Sequence, residues 1–110
     1  MREITHGTIK TFSVGFETDV EEEKYNADFR LAERTSRHFG TEHHALTISA
    51  RDVRDCFEQV VYHMDEPVSN HIQPATYLLS RFAKKSVDVV LGGDGGDELF
   101  GGYDRYFYNA

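Results

Sequence analysis

Cysteine, proline and positive charge are scarce in this 110-residue chain. The single cysteine, Cys56, permits no intrachain disulfide and no cysteine-based zinc cage. Twelve basic residues against 19 acidic ones give a formal net charge of -7, which excludes a general binder of nucleic acid or anionic membranes. No apolar run approaches the ~20 residues that span a bilayer, and the first ten residues lack the apolar centre of a secretion signal. The composition predicts at most one globular domain, in a reducing cytoplasm.

The hydrophobic pattern alternates between the period of strands and the period of helices. Apolar residues alternate over 11–16, which indicates a strand, and residues 44–48 indicate a second one. The acidic stretch 17–23 is predicted to be a loop. The run 87–91 is short, β-branched and nearly all apolar, which is typical of a central parallel strand. Helical spacing predicts three helices, over 26–39, 50–64 and 74–85. This order predicts an α/β fold with a parallel sheet and flanking helices.

Individual residues add detail to this predicted fold. Gly40 is a helix stop, and Ser49 with Asp52 three residues later predicts a capping box. His43 and His44 are neighbours on a strand, so their side chains point to opposite faces and are not expected to share a metal. Cys56 lies on an apolar helical stripe and is predicted to be a core residue.

The chemistry of the chain is concentrated in residues 92–103, Gly-Gly-Asp-Gly-Gly-Asp-Glu-Leu-Phe-Gly-Gly-Tyr. Glycines let a ligand approach main-chain N–H groups, which can cradle a phosphate. Carboxylates can hold Mg²⁺, which bridges to phosphate oxygens. The spacing of the acids does not match a calcium loop, and no Gly-Lys-Ser/Thr follows, which excludes a Walker loop. The segment is predicted to bind a magnesium nucleotide, and the alternative is a glycine-rich turn without a ligand.

This segment resembles the S-G-[ED]-G-[SG]-D-E-x-F-G-G-Y motif of glutamine-hydrolysing asparagine synthetases. Residues 12–16 are similar to the F-[ST]-V-G-F strand of that family, and residues 38–44 to its H-x-G-T-x-H-H segment. Residues 65–67 and 76–80 are further matches in the same order, so the resemblance covers most of 11–106.

The resemblance implies a Rossmann-like ATP pyrophosphatase domain. Such a domain activates the side-chain carboxylate of aspartate with ATP, giving aspartyl-AMP and pyrophosphate, and ammonia derived from glutamine then displaces AMP. By resemblance, Val14 and the backbone of Gly92 and Gly93 contact the nucleotide. Asp94 takes the position of an acidic residue needed for intermediate formation, and Asp97 that of the carboxylate that holds Mg²⁺ on pyrophosphate.

Three departures from the family pattern leave the substrate open. Gly92 and Gly96 replace serines found in many members, Asp94 is one methylene shorter than the usual glutamate, and His71 lies where aspartate-selective enzymes often carry an arginine. An alternative is therefore a paralogue that amidates or cyclises another carboxylate.

The first phosphate loop of the family, S-G-G-x-D-S, and the glutaminase domain do not occur in residues 1–110. The chain is therefore expected to be part of a synthetase domain from a longer enzyme, and to be inactive alone. A non-catalytic nucleotide-binding fragment is a further alternative. Because strand edges and apolar helix stripes would lack partners, either marginal stability or association between copies of the chain is also expected.

Overall fold

A computed structural model describes residues 7–66, 70–103 and 106. Two strands and five helices follow one another in these residues, and their bounds, in chain order, are β1 Lys10–Phe16, α1 Glu22–Tyr25, α2 Ala27–Phe39, β2 Glu42–Ile48, α3 Ala50–Met64, α4 Gln73–Ala83 and α5 Gly96–Phe100.

β1 and β2 form a parallel two-stranded sheet, in register from Lys10 opposite Glu42 to Phe16 opposite Ile48. Helices cover both faces of this sheet. The α2 side chain Phe29 lies against Gly15 on one face, and the α4 side chain Phe82 lies against Phe12 on the other. Residues of opposite parity along a strand face opposite sides, so α2 and α4 sandwich the sheet. The predicted α/β class is confirmed.

The α2 helix approaches β1 closely because Gly15 carries no side chain. A Cβ atom built at Gly15 would lie 2.9 Å from the Phe29 ring and 3.2 Å from Asn26 Oδ1. The Asn26 side chain, which is buried, pairs with the backbone of Phe16 as a neighbouring strand would. The Phe16 N–H donates to Asn26 Oδ1 at 2.8 Å, and Asn26 Nδ2 donates to the Phe16 carbonyl at 2.9 Å.

The predicted capping box at the start of α3 is present. The backbone N–H of Asp52 donates to Ser49 Oγ at 3.2 Å, and the Ser49 backbone N–H donates to the Asp52 carboxylate at 2.8 Å. The Ser49 hydroxyl also donates to that carboxylate, and these hydrogen bonds hold the pKa of Asp52 below its ordinary value. The α2 helix ends at Gly40, whose φ of 61° is left-handed, as predicted.

The core lies between β2 and the helix pair α3 and α4. Its buried apolar residues are Ile48, Cys56, Val60, Ala75 and Ala83. Only part of the apolar stripe predicted along α3 is covered, because Phe57 and Val61 remain 57% and 56% exposed. The stripe therefore predicts the helix correctly but overstates how much of it packs within the described residues.

The strand predicted over 87–91 is wrong for this structure. Residues 87–91 form no strand, and Val89 and Leu91 are 81% and 82% exposed. A central strand needs a ladder partner on each side. Among the described residues β1 pairs only with β2, so nothing bridges β1 to this run, and its β-propensity has no ladder to join.

The acidic segment over 17–23 is only partly a loop, because α1 begins at Glu22, after Glu21 adopts a left-handed φ of 46°. Within the described ranges, none of the helices has the length and apolarity needed to cross a membrane.

We expect Ser49→Ala to lower the free energy of unfolding by about 1 kcal/mol at neutral pH, because the first turn of α3 loses its cap. The folded pKa of Asp52 lies below the ordinary 3.8. The box therefore contributes stability above pH 3.8, and this contribution disappears as the pH falls through the folded pKa. Urea unfolding at neutral and acidic pH measures both effects. Ser80→Ala, at an exposed hydroxyl in α4, is the control, and an equal loss in both variants would contradict the assignment.

Asn26→Ala should destabilise the chain by about 1–3 kcal/mol, because the Phe16 N–H and carbonyl lose their partner. Urea unfolding measures the loss. The exposed Asn70 offers a matched control, since Asn70→Ala removes one hydrogen bond, to the Ile72 N–H, at the surface. Equal stability of the two variants would show that the Asn26 clamp on β1 contributes nothing.

Candidate functional site

The glycine-rich segment folds as a tight turn followed by the short helix α5. The Gly96 N–H donates to the Gly93 carbonyl at 3.1 Å, and Gly95 has φ 88° and ψ -6°. These angles are those of the third residue of a type II turn, which favours glycine. The helix ends at Gly101, whose φ of 66° is also left-handed. The turn and the helix end therefore each require a glycine.

The three acids of the segment have different surroundings. Glu98 accepts a hydrogen bond from the Tyr103 hydroxyl at 2.9 Å. Across the described residues, no hydrogen bond or ion pair engages the carboxylates of Asp94 and Asp97. The backbone N–H groups of 92–95 likewise donate to nothing in that part of the chain. Two carboxylates and a row of N–H donors are thus available to a ligand.

Each of these two carboxylates lies beside a glycine. A Cβ atom added to Gly92 would lie 2.6 Å from Asp94 Oδ2. A Cβ atom added to Gly102 would collide with Asp97 Oδ1 and lie 2.9 Å from Asp97 Cγ. The carboxylates therefore fold back over main chain that lacks a side chain.

No three potential metal ligands converge within the described ranges. The site fits an ion such as Mg²⁺, which one or two carboxylates hold together with the phosphates of a substrate.

Val14 lies in the middle of β1, opposite Leu46 of β2. The Glu17 N–H donates to the Ile48 carbonyl, so alternate residues of β1 face β2. The backbone N–H and C=O of Val14 have the other parity and point to the free edge of β1, where Asn26 already covers Phe16. The predicted nucleotide contact thus presents one donor and one acceptor at an open edge.

The structure keeps four of the predicted site residues, Gly92, Gly93, Asp94 and Asp97, in one turn and helix. Among the described residues α5, which carries Asp97, packs against no other element, and thus not against β1, which carries Val14. His71 lies exposed in the turn before α4. Residues 87–91, which connect α4 to the motif, form no strand beside β1 in this structure.

The two adjacent histidines face opposite sides of the sheet, as predicted. His44 stacks on Phe12 with ring centroids 5.2 Å apart. His43 contacts Thr11 Oγ1 through Nδ1 at 2.9 Å and Ser13 Oγ through Nε2 at 3.0 Å. The Thr11 hydroxyl also hydrogen-bonds to Thr41 Oγ1 at 3.0 Å, so His43 belongs to a network of hydroxyl groups.

A cavity of about 330 Å³ opens between α3 and α4, beyond the end of β2. Cys56, Arg81 and Lys85 are among its lining residues, but no predicted site residue is. Burial raises the pKa of the Cys56 thiol, which fits a core residue and opposes a role as a nucleophile. The cavity is therefore separate from the predicted site.

Sequence reasoning missed two residues that shape the site region, Asn26 and Gly102. Asn26 precedes a helix, where an asparagine ordinarily suggests a cap, and here its side chain reaches back to β1. The double glycine 101–102 suggests a helix end, but nothing local indicates that Gly102 also makes room for Asp97.

The family model for asparagine synthase matches residues 1–110, the whole chain. The asparagine synthetase [glutamine-hydrolyzing] 1 of Bacillus subtilis is 36% identical over 101 residues, 92% of this chain and 15% of that protein. Asparagine synthetase [glutamine-hydrolyzing] 2 of Oryza sativa is 35% identical over 105 residues, covering 93% and 16%. Asparagine synthetase B of Escherichia coli is 36% identical over 86 residues, covering 76% and 15%. The chain thus spans about one sixth of the length of these relatives. It belongs to the asparagine synthase family.

Proposed function

We propose that residues 1–110 are part of the synthetase domain of an ATP-dependent, glutamine-hydrolysing asparagine synthetase. The observation that carries this proposal is that, among the described residues, the carboxylates of Asp94 and Asp97 and the nearby backbone N–H groups have no partner. Carboxylates and N–H donors together suit a nucleotide triphosphate that carries a divalent cation. Family membership and the names of the relatives support the same reaction.

In this reaction an oxygen of the aspartate side-chain carboxylate attacks the α-phosphate of ATP. The bond to pyrophosphate breaks, giving aspartyl-AMP, and ammonia from glutamine then displaces AMP to form asparagine. Negative charge develops on the leaving pyrophosphate, so preorganised donors at that position lower the barrier. The N–H groups of Gly92 and Gly93 would act on the nucleotide, and Asp94 would act during formation of the intermediate.

Asp97 would hold Mg²⁺, and Asp94, in the turn before α5, is the other acid of the motif without a partner among the described residues. When bound, Mg²⁺ would neutralise charge on the pyrophosphate oxygens. Val14 would contact the adenine ring, which offers an N–H donor beside ring-nitrogen acceptors, through the donor and acceptor at the free edge of β1.

The domain assignment rests on the winding of the chain. The α2 helix connects β1 to β2 on one face of the sheet, and α3 and α4 then return along the other face. Reversed winding of this kind creates a crevice at the carboxyl end of an α/β sheet, where ligands bind. A further strand from the rest of the protein, paired with β1, would carry residues 87–91 into the sheet and the motif to Val14. Without that strand, the open edge would favour pairing between copies of the chain.

Fewer residues bear on which carboxylate is the substrate than on the use of a nucleotide. His71 would lie in the pocket for the substrate carboxylate, where its exposed ring could hydrogen-bond to an anion. The shorter Asp94 and the histidine at this position favour, as second candidate, a paralogue that amidates or cyclises a different carboxylate by the same adenylation. A panel of carboxylates in the exchange assay separates the two, and in either case we place the enzyme in the cytoplasm.

The 110-residue chain alone should not catalyse exchange of pyrophosphate into ATP with aspartate. Among the described residues α5 packs against no other element, so Asp97 is not held beside β1, and stabilisation of a leaving group needs its donors held together. Incorporation of labelled pyrophosphate measures this, with the full-length protein as the positive control. Exchange by the isolated chain above the enzyme-free rate would contradict the proposal that the site is completed by other segments.

In the full-length protein, Asp97→Asn should lower aspartate-dependent exchange by about 100-fold or more, because the neutral amide no longer attracts the cation. Glutamine hydrolysis should be unchanged. The matched control is Asp28→Asn, at an exposed aspartate in the first turn of α2. Near-normal exchange in Asp97→Asn would remove Asp97 from the mechanism. Nucleotide binding without exchange in the unaltered full-length protein would favour the non-catalytic alternative.

A further inference from the structure

The glycines of the motif differ in why they must be glycine. Gly95 and Gly101 have left-handed φ values, so any side chain there strains the backbone. Gly96 has an ordinary backbone conformation and open space around the position of a Cβ atom. Gly102 also has an ordinary φ, but its Cβ position is occupied by the side chain of Asp97. The requirement at 102 is therefore for space and not for conformation.

The contact between Gly102 and Asp97 has two parts. The Gly102 N–H donates to the Asp97 carbonyl at 3.0 Å, which fixes the main chain of the two residues together. The Asp97 carboxylate then lies over Gly102, where an added Cβ would collide with Oδ1, lie 2.9 Å from Cγ and lie 3.2 Å from Cα. Because the hydrogen bond prevents the two backbones from separating, a methyl group at 102 would have to turn the carboxylate away.

We propose that Gly102 is a positioning residue, whose missing side chain sets the orientation of the Asp97 carboxylate for a magnesium nucleotide. This inference rests on the proposed function. Gly102 touches no reacting group itself and acts only through Asp97. A carboxylate displaced by a methyl group would still carry its charge but would present it in the wrong place, and errors of about 1 Å are enough to lose much of the activity.

The test compares Gly102→Ala with Gly96→Ala in the full-length protein, because both add one methyl group to the same motif at ordinary φ. Binding of Mn²⁺ in the presence of ATP, followed by electron paramagnetic resonance, measures the site without requiring turnover. We expect Gly102→Ala to weaken Mn²⁺ binding by about 10-fold or more, and Gly96→Ala to leave it unchanged. The Mg²⁺ concentration for half-maximal exchange should rise in parallel, while glutamine hydrolysis is retained.

Asp97→Asn separates the failure of this inference from the failure of the proposed function. Loss of Mn²⁺ binding in Asp97→Asn with normal binding in Gly102→Ala would overturn the positioning role and leave Asp97 in place. Normal binding in both would overturn the positioning role together with the metal role of Asp97.

A second measurement covers the case in which Gly102→Ala unfolds. If the methyl group meets the carboxylate, then the fall in Tm caused by Gly102→Ala should be much smaller in an Asp97→Ala background. An equal fall in both backgrounds would mean that the methyl group meets main chain only, which would overturn the proposal.

Discussion

The parallel pairing of β1 with β2 is the constraint on which the rest of the structure depends. It divides the chain into two layers of helices, since α2 is confined to one face and α3 and α4 to the other. The pairing uses one edge of each strand and leaves the second edge of β1 facing away. Along that edge the Asn26 side chain takes the place of a strand at Phe16. Under the proposed function, the position of the glycine-rich motif depends on what pairs with this edge of β1.

Local patterns predicted the elements whose partners are close in sequence. The period of two over 11–16 and the capping box at Ser49 each specify a structure from a few residues, and both are present. Residues 87–91 carry an equally strong pattern, but a strand forms only against another strand. Phe57 on α3 is a similar case. Its apolar side chain indicates that α3 needs a packing partner there, but the sequence does not indicate where that partner lies.

The candidate site was predictable in its residue types and not in its geometry. The motif points to Asp94 and Asp97 because a segment this rich in both glycine and acidic residues is unusual. The structure adds that these two acids, unlike Glu98, have no partner in the described part of the chain. Their relation to Gly92 and Gly102 depends on how the turn folds back on itself. No repeating pattern in the sequence indicates this close approach, so it is visible only in the three-dimensional structure.

Each hydrogen bond of the hydroxyl network around His43 can be given a donor and an acceptor. The Thr41 hydroxyl donates to Ser36, and the Ser36 hydroxyl donates to the Thr41 carbonyl. Because the hydroxyl proton of Thr41 is donated to Ser36, Thr41 can only accept in its hydrogen bond with Thr11. The hydroxyl proton of Thr11 is therefore donated to Thr41, and Thr11 accepts from His43 Nδ1. In the neutral ring, Nε2 then accepts from Ser13, and every proton along the chain is assigned once. The imidazole is thus held as the tautomer with its proton on Nδ1. Beside the backbone hydrogen bonds, β1 and β2 are therefore joined by a row of side-chain hydrogen bonds in which every donor and acceptor is assigned.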